Sequence, residues 1–241
     1  IEEKRRKTRW ADGPSGFAIP QSMLRHGDNP FSKGTCRIIH TATNDKHAEG
    51  AALWVPSIPE RGEYAVYVSY QSYASSVSDA EYIVLHAGGT TRIKVNQQMG
   101  GGTWIYLGTF LFDKGSADQG VYLTNLNKAL KASKEIKVVT ADAVKFGGGM
   151  GNIARYRKCE DGKEYAMSVS GLPRSAEAAR YWLQWAGTDP EVYSQNEEKD
   201  DYRDDFMSRG DWVAWLSGGS EMNPGQEGKH IPIDLSLGFH S

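Results

Sequence analysis

Cysteine is nearly absent from this chain: Cys36 and Cys159 are the only two in 241 residues. That excludes a disulfide-stapled scaffold, while one bridge or two free thiols both remain compatible with the sequence. No run approaches the ~20 consecutive apolar residues of a membrane helix. Neither sign of charge dominates either. The 28 Lys and Arg against 30 Asp and Glu leave a formal net charge of -2, which gives no general pull toward nucleic acid or an anionic bilayer. The chain opens Ile1-Glu2-Glu3-Lys4-Arg5-Arg6-Lys7 with no Met and no apolar h-region. The expectation is therefore a piece of a longer polypeptide whose targeting segment was removed or lies elsewhere. Several familiar chemical signatures are missing too. The glycine run Gly147–Gly151 lacks the Lys-Ser/Thr of a phosphate loop. No Gly-x-Ser-x-Gly elbow supports a serine hydrolase. The acidic run Glu197–Asp205 lacks the spacing and turn glycine of a calcium loop and reads as a solvated charge run.

What is present is aromatic and β-rich. Seven Trp and twelve Tyr accompany a hydrophobic fraction of 39% and a charged fraction of 24%, a globular balance. The aromatics serve either packing or flat platforms for carbohydrate, and composition alone leaves both open. In Glu63–Tyr70 the large residues Tyr64, Val66, Val68 and Tyr70 alternate, the period-2 mark of a half-buried strand. Glu81–His86 and Thr91–Asn96 flank Ala87-Gly88-Gly89-Thr90, which predicts a hairpin. Thr103–Phe112, Val121–Thr124 and Val138–Phe146 complete the set. Short strands at close spacing point to an antiparallel β-sandwich, jelly-roll-like in type.

The pattern changes after the glycine run. Ser175–Trp185 places Ala179, Trp182, Leu183 and Ala186 at helical spacing and stops at Gly187. A second helix is predicted over Phe206–Leu216, and Ile231–His240 reads as a buried strand. The fold class expected is thus α+β: mainly a β-sandwich followed by a partial α/β segment. The expected domains are an irregular segment 1–30, a β module 31–150 and a segment 151–241.

Several stretches resemble a known family. Trp54-Val55-Pro56, Gly62–Val68, His86–Thr91, Val95–Gln98, Gly102–Gly108 and Ala141–Gly147 follow, in order, the pattern of the golvesin C-terminal-like, or xanthan lyase binding-domain-like, module. Asp142, set between small residues, is placed to anchor a neighbouring turn by accepting backbone hydrogen bonds. The resemblance implies an accessory module of secreted, periplasmic or cell-surface proteins that bind glycan or peptidoglycan. A binding surface would draw on Tyr70, Tyr73, Asn96, Gln97, Trp104 and Tyr106.

The last third resembles part of an N-acetylmuramoyl-L-alanine amidase-like domain, through Ser170–Arg174, Glu177–Trp182, Asp204–Arg209 and Asp234–Ser241. That resemblance implies zinc as cofactor, with His240 as a metal ligand and Glu177 as the candidate carboxylate on a helix. Hydrolysis at such a centre needs three protein ligands and an open position for water. The Gly-His-Gly strand that supplies another ligand in that family has no counterpart here, so this chain alone is catalytically incomplete. Catalytic residues are not assigned. A polysaccharide lyase component and a non-catalytic adhesion or scaffold protein are the competing classes. An exposed strand at Ile231–Phe239 would also favour a homo-oligomer or docking onto the β module.

Overall fold

The computed structural model describes residues 9–19, 24–44, 50–133, 135–147, 177–197, 199–218, 224–225 and 227–238. Two compact units divide the chain: residues 1–17 with 34–148, and residues 18–33 with 149–241.

The described residues of the first unit form ten strands. They are β1 (Ala11–Asp12), β2 (Arg37–His40), β3 (Ala51–Trp54), β4 (Gly62–Val68), β5 (Ala80–His86), β6 (Gly89–Val95), β7 (Ile105–Phe112), β8 (Gly120–Thr124), β9 (Val138–Ala141) and β10 (Val144–Phe146). They form three sheets, ordered β1-β2-β9, β10-β4-β7 and β3-β8-β5-β6. Every pairing between these strands is antiparallel. The inward residues of facing sheets meet in one core: Val66 and Val68 from β4, Phe112 from β7, Tyr82 and Val84 from β5, Val121 and Leu123 from β8. The alternation read from Glu63–Tyr70 is the cause, since Val66, Val68 and Tyr70 are buried and Glu63 is exposed. The predicted hairpin forms with Ala87 and Gly88 at its turn, His86 pairing with Gly89. This is the expected mainly antiparallel β-sandwich with a helical segment.

The stretch Val138–Phe146, read as one strand, is two. β9 pairs with β2, and β10 pairs with β4 in another sheet. The chain changes sheets at Asp142, whose carboxylate accepts from the Phe17 amide through both oxygens (2.8 and 3.0 Å) and from Ser69 Oγ (2.9 Å). Burial pushes the Asp142 carboxyl above the ordinary carboxylate value, and the bonds from Phe17 and Ser69 offset only part of that. A raised folded value means that the native state holds a proton the unfolded chain has released. The stability so gained is complete below the unfolded value, about 3.9, and is lost as pH rises through the raised one. Asp142→Asn, which keeps an acceptor without the charge, should therefore gain on the wild type as pH rises from 3 toward neutrality. Urea unfolding across that range checks this; an advantage that instead shrinks with rising pH would reverse the assignment.

The second unit is helical in its described residues: α1 (Ala179–Trp185), α2 (Pro190–Tyr193) and α3 (Asp201–Ser217). The strip before β2 folds with it. Gln184 Nε2 donates to the carbonyl of Arg25 (2.6 Å), Asn29 Nδ2 to that of Gly187 (3.1 Å), and the Gly27 amide to Tyr193 Oη (2.9 Å). Helix α3 begins five residues before the predicted start, because the Asp200 carboxylate accepts from the Arg203 amide (3.0 Å) and caps it. The acidic run is thus no solvated charge run throughout. Asp204 has no exposed side-chain surface; it faces the buried Arg180 and accepts from the amide (2.8 Å) and Nδ2 (3.0 Å) of Asn196.

The buried strand expected at Ile231–His240 does not form over 231–238, and Leu235 and Leu237 are more than two-thirds exposed. Its start is used differently. The amides of Lys229 and Ile231 donate to the carbonyls of Trp215 (3.1 Å) and Leu216 (2.9 Å), satisfying the end of α3. His230 adopts φ 56 between them, and Pro232 has no amide to give to a ladder. No strand edge for pairing with a second copy is present in those residues. Among the described residues no helix is long and apolar enough to cross a membrane.

Candidate functional site

Of the six residues expected to face a ligand, Tyr70, Gln97 and Trp104 are buried, Tyr73 and Asn96 are half-buried, and Tyr106 is exposed. Gln97 is fully buried. β9 is the edge of its sheet, and Gln97 covers that edge as a peptide group would. Its Oε1 accepts from the Thr140 amide (2.9 Å), and its Nε2 donates to the Thr140 carbonyl (2.8 Å) and to Tyr82 Oη (3.1 Å). Tyr70 is buried as well. Its hydroxyl donates to the carbonyls of Met99 (2.8 Å) and Asn96 (3.2 Å), tying two loops together, and burial pushes its ionisation far upward. Asn96 turns its side chain back, Oδ1 accepting from the Gln98 amide at 3.0 Å. Tyr73 is held by its amide to Ser76 Oγ (3.1 Å), with its ring hydroxyl beside the Cys36 thiol. Trp104 is buried edge-on against Phe17, ring centroids 4.9 Å apart. The structure thus gathers Tyr70, Asn96 and Gln97 in one corner, where burial commits the side chains of Tyr70 and Gln97 to packing.

Tyr106 is different: it is 54% exposed on the outer face of the β10-β4-β7 sheet. A β-bulge puts it there. From Gly62↔Phe112 to Val66↔Gly108 the register of β4 and β7 is regular, and it then jumps to Tyr67↔Tyr106. Leu107 is the extra residue. Continued without the jump, that register would set Tyr106 opposite Val68 and turn it inward. With the bulge, Ile105 takes the inward place and Tyr106 stands beside Tyr67. Gly108 makes this permissible, since its φ of 143 is one that L side chains rarely adopt.

The two rings lie 5.2 Å apart at an interplanar angle of 48°. Lys145, on the adjacent strand β10 and opposite Tyr67, holds its Nζ 4.6 Å from the Tyr67 ring centre and donates to the Gly147 carbonyl at 2.8 Å. Tyr106 Oη and Thr109 Oγ1 are 2.8 Å apart. The result is an aromatic pair, Tyr106 exposed and Tyr67 half-buried, rimmed by an ammonium and two hydroxyls. Such a surface stacks on the apolar face of a ring and offers hydrogen bonds around its edge. Tyr67 and Lys145 were not among the residues expected from sequence. The alternation that turns Tyr64, Val66 and Val68 toward the core already places Tyr67 on the opposite face, which was the available signal.

The zinc centre implied by the amidase resemblance is not assembled by the described residues. No three His, Cys, Asp or Glu side chains among them gather to hold a metal ion. Glu177 is half-buried just before α1, while His240 lies outside the described residues, as do Ser170–Arg174 and Cys159. Arg180 pairs with Asp201 (2.5 Å) and Asp204 (3.4 Å).

Comparison with known proteins finds matches for part of the first unit. Residues 32–148 match the family described as the Golvesin C-terminal domain. A 96-residue stretch is 39% identical to a xanthan lyase of Bacillus sp. (strain GL1), covering 40% of this chain and 10% of that protein. A solved structure of a Paenibacillus xanthan lyase is similar over 57% of this chain and 12% of its own, at 26% identity and a TM-score of 0.38. The chain therefore spans only about a tenth of the length of these relatives.

Proposed function

We propose that the golvesin-like unit is a carbohydrate-binding accessory module, and that it holds its glycan on the face formed by Tyr67, Tyr106 and Lys145. The observation that carries this reading is the bulge, which turns Tyr106 out of the sheet and sets it beside Tyr67. Left inward, the same residue would have added to the core, so the departure from regular pairing serves the surface. The family match and the likeness to a xanthan lyase support the same class. In the whole protein the module keeps a degradative domain close to its polymer, outside the cell. The glycan chain runs across the tilted tyrosines, one sugar ring stacking on Tyr106 while Lys145 and the hydroxyls bond to its rim.

Affinity electrophoresis tests this. The intact chain is run through native gels loaded singly with a panel of neutral, acidic and amino-sugar polysaccharides and with solubilised peptidoglycan. Retardation in at least one gel, reduced by Tyr67→Ala, is the expected result. Unchanged mobility in all of them would end the proposal.

The zinc-amidase expectation for the last third has its own test, elemental analysis of the chain with and without His240→Ala. Near-stoichiometric zinc lost in the variant upholds it, and a metal-free chain removes it.

A further inference from the structure

A second feature of the first unit is a concavity of about 480 Å³, a volume within the range of small-molecule sites. It opens where β2, β3 and the end of β9 meet, and shares no residue with the Tyr67–Tyr106 face. Trp10, Trp54, Leu53, Arg37 and Asp142 line it. Its chemistry is mixed in a particular way. Two indoles and an exposed leucine supply apolar faces. Arg37, 57% exposed, engages Asp12 through one nitrogen, Nη1, and the fork of a guanidinium carries further donors. Among the described residues the Trp54 indole N–H meets no acceptor, and it is not sealed from solvent.

The charge balance narrows the ligand. Arg37 brings one positive charge; Asp12 beside it and Asp142 in the wall bring carboxylates. No excess positive charge is left to attract a phosphate or a uronate. A wholly apolar ligand would leave the guanidinium and the carboxylate of its partner without bonds on that side. A neutral polyol ring satisfies both demands: its C–H face stacks on indole, and its hydroxyls accept from Arg37 and Trp54 and donate to Asp12.

We infer that this concavity is a second sugar-binding site, taking one or two neutral pyranose rings independently of the Tyr67–Tyr106 face. The inference rests on the glycan-binding reading above but names other residues, so the two can fail separately. Joined on one polymer, two such sites would raise avidity by about 10²–10⁴ where the chain can reach both.

The test follows the indole N–H and backbone amide signals of the intact, isotope-labelled chain by NMR. It is titrated with neutral gluco-, manno-, xylo- and N-acetylglucosamine tetrasaccharides and with one uronate tetrasaccharide. The expected result is that a neutral tetrasaccharide moves the Trp54 indole signal in the wild type and equally in Tyr106→Ala. Arg37→Gln, an exposed substitution, should weaken that response at least tenfold with the remaining spectrum unchanged. Trp54→Phe, which keeps most of the packing, should weaken it as well. Shifts confined to the Tyr106 face would overturn the second site and leave the first. Shifts confined to the concavity would overturn the Tyr106 reading and uphold this one. A response to the uronate sugar alone would overturn the neutral ligand class, and silence at every signal would overturn both.

Discussion

Gly108→Ala is expected to remove glycan binding as thoroughly as deletion of a tyrosine, although residue 108 need touch no sugar. At φ 143 an alanine is strained, and its Cβ would stand 2.9 Å from the Phe110 ring. Holding a non-glycine residue in such a region costs about 1–3 kcal/mol. The strand can escape that cost by giving up the bulge, which slips the register by one residue and returns Tyr106 to the inner face. That slip separates Tyr106 from Tyr67. Losing an aromatic anchor at the centre of a binding face costs about 1 kcal/mol or more, so binding should weaken about fivefold or more. Titration of the retained polysaccharide into Gly108→Ala, beside a urea melt, measures both effects. Wild-type affinity in a variant that has lost stability would show that the strand keeps its bulge under strain, and would overturn the predicted slip.

The largest loss of stability is expected from Gln97→Leu. The substitution keeps the volume close and removes three hydrogen bonds, leaving the amide and carbonyl of Thr140 and the hydroxyl of Tyr82 without that partner. Gln97 and Tyr82 are both fully buried, so no water replaces what is lost. A buried polar group left unpaired costs about 1–3 kcal/mol. Some relaxation is to be expected, and the total should come to about 3–5 kcal/mol in urea unfolding of the intact chain. The pattern has an internal check. Adding Tyr82→Phe to Gln97→Leu removes one stranded hydroxyl and should recover about 1 kcal/mol, whereas Tyr82→Phe alone should destabilise. A cost below 1 kcal/mol for Gln97→Leu would mean that the edge of β9 is held by other contacts.

These two residues also mark what the sequence discloses and what it hides. Alternation within Glu63–Tyr70 discloses the inner face of β4, because a period of two is a property of the backbone itself. The Ala87–Gly88 turn and the anchoring role of Asp142 are legible for similar local reasons. The bulge at Leu107 is not, since strict alternation through Thr103–Phe112 puts Tyr106 on the same side as Phe110 and Phe112. Only the partner strand reveals the slip, with Gly108 as its faint local trace. Gln97 misleads in another way. A polar side chain after a strand looks like a ligand contact, and nothing local says that an open sheet edge lies beside it. The same holds for Asp204, whose buried partner Arg180 is 24 residues away. At Ile231–Gly238 the apolar alternation suggests a strand, but its first amides are spent on the end of α3.

Isothermal titration calorimetry of the intact chain with the polysaccharide that retards it most, comparing wild type, Tyr106→Ala and Tyr106→Trp, tests the central claim most directly. Tyr106 is exposed, so Tyr106→Ala should fold normally while its affinity for the Tyr67–Tyr106 face falls at least tenfold; Tyr106→Trp, which restores a larger ring, should bind as well as the wild type or better. Equal affinity and heat for all three proteins would contradict the claim and place the glycan elsewhere on the chain.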